Sequence, residues 1–199
     1  DIKERYQKGQ PVLIGTIGPV PLAAHQIAIS LASVSYMAAS GIAAAATVRI
    51  GNERGRKNFA AIRQTGDAAL FLSIALMTFA GLVLFFGRYL LPSFFTDEAA
   101  VLGLSTSLLI VAVVFQISDG LQVVGLGMLR GLSDVKLPTA ITFFSYWIVS
   151  LPLCWFTGIY LQGGVLSIWI SLAAGLTLAA VLLVWRFRVL TKWVAIAEV

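Results

Sequence analysis

Between Leu137 and Trp185 there is no Asp, Glu, Lys or Arg. Drawn as one helix, at about 1.5 Å per residue, that stretch would be more than twice as long as a bilayer core of about 30 Å. It has to fold back on itself, and Gly158 with Gly163 and Gly164 marks the turn. Leu22–Val48, Ala68–Gly87 and Ala99–Ser118 are equally free of those four residue types. Hydrophobic residues make up 59% of the 199 positions and charged residues 12%, with a mean hydropathy of +0.92. A soluble domain carries roughly twice that share of charge. The chain reads as an integral membrane protein.

Five spans are expected, at about 22–47, 67–87, 100–129, 138–158 and 164–185. A transmembrane β-barrel would alternate apolar and polar residues over about ten positions, and no stretch here does so. The fold class is all-α, a helical bundle of about five transmembrane helices. The Ala, Gly and Ser of LAAHQIAISLASVSYMAASGIAAAAT suit close helix–helix approach in lipid.

Lysine and arginine set the orientation. Arg49, Arg54, Arg56, Lys57 and Arg63 crowd the connection after the first span, Arg130 and Lys136 follow the third, and Arg186, Arg188 and Lys192 follow the fifth. The connection around Gly87–Ala99 sets Arg88 against Asp97 and Glu98, and Gly158–Gly164 is uncharged. Alternate loops thus agree on one topology with the C-terminus in the cytoplasm. The net charge of +5 belongs to this anchoring, and its spread over three loops argues against nucleic-acid binding.

The start of the chain conflicts with that topology. DIKERYQKGQ carries Lys3, Arg5 and Lys8, yet the first span must begin outside to end inside at Arg49. The short stretch between them, with its prolines at 11, 19 and 21, is too short and too proline-rich to cross as a helix. Either it re-enters or stays outside, or a crossing helix has been lost; we favour the loss.

Asp119 is the one carboxylate deep in a span, with Gln116 and Gln122 three residues to either side on one helical face. A charge at this depth costs a few kcal/mol unless it faces protein, water or a neutralising cation. It either bonds a neighbouring helix or serves as a cation or proton site lining a pathway, and intramembrane acids favour the second reading. His25, just inside the outer end of the first span, reads as a satisfied interfacial histidine, with a proton relay as the alternative. Asp67 reads as an ordinary helix-terminal acid. The five tryptophans fall largely near span ends, as an aromatic belt would, although Trp147 and Tyr146 could face a cavity. Lone Cys154 permits neither a disulfide nor a cysteine-based metal site within one chain. No zinc signature or phosphate-binding loop occurs, and the sole histidine lies 15 residues, about 22 Å of helical rise, from Ser40. Catalysis is not expected.

PLAAHQIAISLAS, TVRIGNERGRKNFAA, LPSFFTDEAAV, FQISDGLQVVGLGMLRGLSDVKLPT and SYWIVSLPLCW follow one another in the order and spacing of MATE transporters, the multidrug and toxic compound extrusion family. The resemblance covers roughly residues 18 to 188 and is similar to the C-terminal lobe, the seventh to twelfth of the family's twelve helices, in its NorM-like form. In the family, GxP opens the seventh helix some thirty residues before LAAHQ; here GQP at 9–11 is followed almost at once by that motif. The resemblance therefore implies that most of the seventh helix is missing, in line with the topology conflict.

On this basis residues 1–21 would be a basic, cytoplasm-like start with the remnant of a truncated helix, 22–188 the transmembrane lobe, and 189–199 a cytoplasmic tail. The resemblance implies export of cationic amphipathic drugs in exchange for Na+ or H+, without a cofactor, in a bacterial inner membrane. Asp119 falls at the family's tenth-helix acid and would couple the ion, holding Na+ if that is the ion; Gln116, Gln122, Tyr146 and His25 would line the pathway. The family's partner glutamate on the seventh helix has no match here. The first lobe is absent from this sequence, so the implied partner is an N-terminal lobe. The alternative is a non-transporting membrane fragment or assembly partner that keeps the scaffold.

The orientation is open to direct test. Single cysteines in a Cys154→Ser background should react from the cytoplasmic side at positions 55 and 133, and from outside at 96 and 162. Labelling of position 55 from outside intact cells would reverse the topology.

Overall fold

The computed structural model describes residues 18–161 and 163–196. Five helical passages are long and apolar enough to cross a membrane. They are α1 (Pro19–Gly55), α2 (Phe59–Gly87), α4 (Ala99–Gly131), a composite passage from Lys136 to Gly158, and α7 (Gly164–Ile196). A short α3 (Leu90–Ser93) lies in the connection between α2 and α4. Each of the five expected spans falls inside one of these passages.

The ends differ from expectation. α1 begins at Pro19, not Leu22. Pro19 and Pro21 occupy its first turn, where the missing N–H groups would have had no helical partner anyway. Residues 189–196 of the expected tail continue α7 as helix. Of residues 1–21, expected to hold the remnant of a lost helix, 1–17 lie outside the described residues and 19–21 open α1. Asp67 sits in the third turn of α2, beyond the first turn where the helix dipole would favour it.

The fourth passage is not a plain helix. α5 (Lys136–Phe143) runs into a π-helical segment, Phe144–Ser150, then α6 (Leu151–Cys154), then a second π-helical segment, Trp155–Tyr160. Pro152 offers no N–H to the Ile148 carbonyl and its ring crowds that oxygen. Widening of the turns around it relieves this clash.

α4 is the central helix and packs against α1, α2 and α7. Ser35 and Ala43 of α1 meet Gln116 and Gly127 of α4, so α1 and α4 run in the same direction. Ser118 and Gly125 of α4 meet Thr177 and Leu183 of α7, which is also parallel. α2 runs the other way, with Gly81 against Val113 and Ser73 against Gly120. The basic connections therefore gather at one end, where Arg54, Asp134 and Arg186 line a common cavity and Arg186 Nε donates to Asp134 Oδ2 at 3.0 Å. Phe71, Phe79 and Phe86 of α2 and Val34 and Met37 of α1 point out of the bundle, as a lipid-facing surface requires.

Small residues decide how near α1 and α4 come. A Cβ added at Gly127 would lie 2.5 Å from the Ala43 carbonyl oxygen, and one at Gly131 would lie 2.8 Å from that of Thr47. The spacing of the two glycines places both on one face of α4. Facing them, α1 buries Ala39, Ala43, Ala46 and Ile50. The Thr47 hydroxyl bridges the crossing, within 2.8 Å of the carbonyl oxygens of both Ala43 and Gly127.

Gly127→Ala should therefore lower stability by about 1–3 kcal/mol, since backbone must move to admit the methyl group. Gly103→Ala, where an added Cβ meets nothing within 4 Å, should instead stabilise α4 slightly. Thermal unfolding in detergent measures both, and an unchanged midpoint for Gly127→Ala would contradict the close crossing.

Candidate functional site

Above the glycine crossing, α1, α4, the first π-helical segment and α7 part around a cavity of about 360 Å³. Asp119 is the one Asp, Glu, Lys or Arg residue in its lining. Aromatic and apolar side chains make most of the wall: Tyr36 from α1, Phe115 from α4, Tyr146 from the π-helical segment, and Trp169, Leu172 and Leu176 from α7. Trp169, Leu172, Ala173 and Leu176 recur at the three- and four-residue steps of one helical face.

The polar stripe on α4 fans out rather than pointing one way. Each three-residue step turns about 60° around the helix, so Gln116 and Gln122 diverge by about 120°. Gln116 is 1% exposed and donates from Nε2 to the Ser35 hydroxyl of α1. Gln122 is 7% exposed, and its Oε1 accepts from the Tyr146 hydroxyl at 2.8 Å. Asp119 lies between the two, half-buried and facing the cavity. Among the described residues no side chain donates a hydrogen bond to its carboxylate and no cation pairs with it. The two amides are thus committed to holding neighbouring helices, and the carboxylate between them is left uncommitted.

His25 also lines the cavity, toward its other end. Its Nδ1 accepts a hydrogen bond from Trp169 Nε1 at 3.1 Å, and the two rings meet edge to face with centroids 5.6 Å apart. Trp169 in turn contacts Phe115, again at 5.6 Å between centroids. This corrects the belt assignment for Trp169, which is 4% exposed and packed inside the bundle. Trp155 and Trp185, near passage ends, are more than half exposed, in keeping with a belt, whereas Trp147 is equally exposed at the middle of its passage. Trp147 stacks on Phe143 rather than facing the cavity.

Of the five residues singled out from sequence, Asp119, Tyr146 and His25 line one cavity, while Gln116 and Gln122 sit behind its wall. Tyr36, Phe115 and Trp169 were missed as lining residues. Phe115 could have been found, because it stands one helical turn before Asp119 on the same face. Tyr36 and Trp169 depend on how α1 and α7 dock, which no local pattern records.

A cavity walled by aromatic rings around a carboxylate unpaired among the described residues sits in the membrane-spanning part of the fold, where α1, α4 and α7 meet. The MatE family profile matches residues 11–156. The chain belongs to the MatE family. It is 40% identical over 181 residues to a "Probable multidrug resistance protein NorM" of Xylella fastidiosa (strain 9a5c), covering 91% of this chain and 39% of that protein. It is likewise 40% identical over 184 residues to the "Multidrug resistance protein NorM" of Burkholderia vietnamiensis, covering 90% of this chain and 40% of that one. Its fold matches the crystal structure of a eukaryotic MATE transporter with a TM-score of 0.81 at 22% identity, over 92% of this chain and 41% of that one. A MOP superfamily transporter from Pyrococcus furiosus matches with a TM-score of 0.78 at 16% identity, over 92% and 40% of the two chains. This MatE-family chain thus spans about two-fifths of the length of the relatives it matches. It is a multi-pass membrane protein whose relatives are transporters.

Proposed function

We propose that this MatE-family chain forms the C-terminal lobe of a secondary active multidrug exporter. It works with an N-terminal lobe to expel cationic amphipathic compounds in exchange for Na+ or H+, and Asp119 carries the ion coupling. One observation supports this most directly: among the described residues, the single carboxylate of an aromatic, apolar cavity has no cation paired with it.

Such a group is costly to keep ionised at membrane depth, and a bound cation or proton lowers that cost. Its occupancy can then differ between two arrangements of the helices, which is what coupling requires. Tyr36 and Tyr146 line the same space and bring phenol oxygens as further potential cation ligands. Ring faces provide additional attraction for an organic cation, and the apolar walls suit the rest of an amphipathic molecule.

The other reading, a non-transporting fragment or assembly partner that keeps the scaffold, draws on the two-fifths coverage of the relatives. An upstream reading frame with six further spans, continuous with Asp1, would favour the exporter.

Asp119→Asn separates a coupling carboxylate from a hydrogen-bonding one. The change keeps shape and hydrogen-bonding capacity, removes the titratable charge, and so should leave insertion and folding at least as good as before. Efflux per unit of folded protein, measured in a full-length protein carrying this segment with imposed Na+ and pH gradients, should nevertheless collapse. Gln122→Leu should have a milder effect, since it removes the hydrogen-bond partner of Tyr146 and no charge. Near-normal efflux from Asp119→Asn under either gradient would make Asp119 scaffold.

A further inference from the structure

The contact between His25 and Trp169 determines more than packing. An indole nitrogen can only donate. Trp169 Nε1 lies 3.1 Å from His25 Nδ1, so Nδ1 must offer its lone pair and carry no proton. A doubly protonated imidazole would set two N–H groups against each other at this distance. The ring in this contact is therefore neutral, with its one proton on Nε2. Among the described residues nothing accepts a hydrogen bond from that Nε2–H, and the ring lines the cavity.

The opposite chemistry sits at the other end of the same space. Trp169 contacts Phe115, and Asp119 lies one helical turn, about 6 Å of rise, beyond Phe115 along α4. On α1, His25 and Tyr36 both face the cavity and stand about 16 Å apart along the helix axis. The cavity thus has an acceptor-only carboxylate toward one end and a neutral donor toward the other, with aromatic rings between them.

We infer that His25 is a specificity-determining donor, held in its Nε2–H form by Trp169, which selects guests bearing a hydrogen-bond acceptor at the end remote from their cationic group. The ligand class is a flat aromatic cation with a carbonyl or similar acceptor, in preference to an equally charged cation without one. Trp169 is a positioning residue that acts through His25. This rests on the cavity reading proposed above and adds a direction to it.

Two probes of equal charge test the inference: 1-methyl-4-phenylpyridinium, which has no acceptor, and its para-acetyl analogue, which has one. Equilibrium dialysis against the purified 199-residue chain in detergent micelles gives an affinity for each, and the ratio is the readout. A neutral hydrogen bond to a protein donor should favour the acetyl probe by about three- to tenfold. His25→Ala should bring the ratio to about one. Trp169→Phe should also reduce it, because the freed imidazole can place its proton on either nitrogen. Asp119→Asn should weaken both probes and leave the ratio in place.

Circular dichroism identifies which variants are folded. A wild-type ratio in a folded His25→Ala or Trp169→Phe variant overturns the inference. So does a ratio of one in the unsubstituted chain, in which case the cation-binding cavity stands without a selective donor. If neither probe binds the unsubstituted chain, the cavity reading and this inference fall together.

Discussion

The close parallel crossing of α1 and α4 sets the rest of the structure. Lipid tails are as apolar as the helix surfaces, so no hydrophobic force drives two helices together inside a bilayer; backbone proximity and dispersion must do it. Gly127 and Gly131 let the carbonyls of Ala43 and Thr47 come where a side chain would otherwise stand. With the helices fixed at that level, Ser35 meets Gln116 farther along the crossing and Tyr36 comes to the edge of the cavity that holds Asp119. A second close contact acts from the other side. A Cβ at Gly175 of α7 would lie 2.9 Å from the Ser145 carbonyl and collide with the Ser150 side chain, so α7 lies tightly against the first π-helical segment. Between these two contacts the helices diverge, and the cavity is the space left over.

The polar groups of α4 divide the work. Hydrogen bonds between helices in a membrane contribute modestly, on the order of 0.6 kcal/mol each, so the amides of Gln116 and Gln122 fix geometry more than they add stability. Gln116 ties α4 to α1, and Gln122 orients Tyr146 in the π-helical segment. Asp119, between them, has no such duty among the described residues. A carboxylate kept for structure would be expected to accept a hydrogen bond from a neighbour; this one faces open space instead.

Much of this fold was legible because lipid imposes simple rules. Charge-free runs longer than a bilayer forced the spans, and basic clusters placed alternate loops at one end, where Arg54, Asp134 and Arg186 do meet. Asp119 stood out because a charge in such a run requires a reason. The π-helical turns of the fourth passage were not legible, although Pro152 was visible, since a proline can equally kink or end a helix. Treating Gln116, Asp119 and Gln122 as one stripe concealed their 120° spread, which matters only once neighbouring helices occupy its two sides. Trp169 was misread as a belt residue because its place near a span end said nothing of His25, 144 positions away in sequence.

The most direct measurement concerns whether position 119 opens into a cation-accepting cavity. In a Cys154→Ser background, Asp119→Cys can be treated with a small, permanently cationic methanethiosulfonate, with and without tetraphenylphosphonium present. An accessible cavity predicts modification at a measurable rate, slowed when the phosphonium competes for the same space. A thiol as inert as one packed in the helix core, or a rate indifferent to the phosphonium, would contradict the placing of Asp119 in a cation-binding cavity.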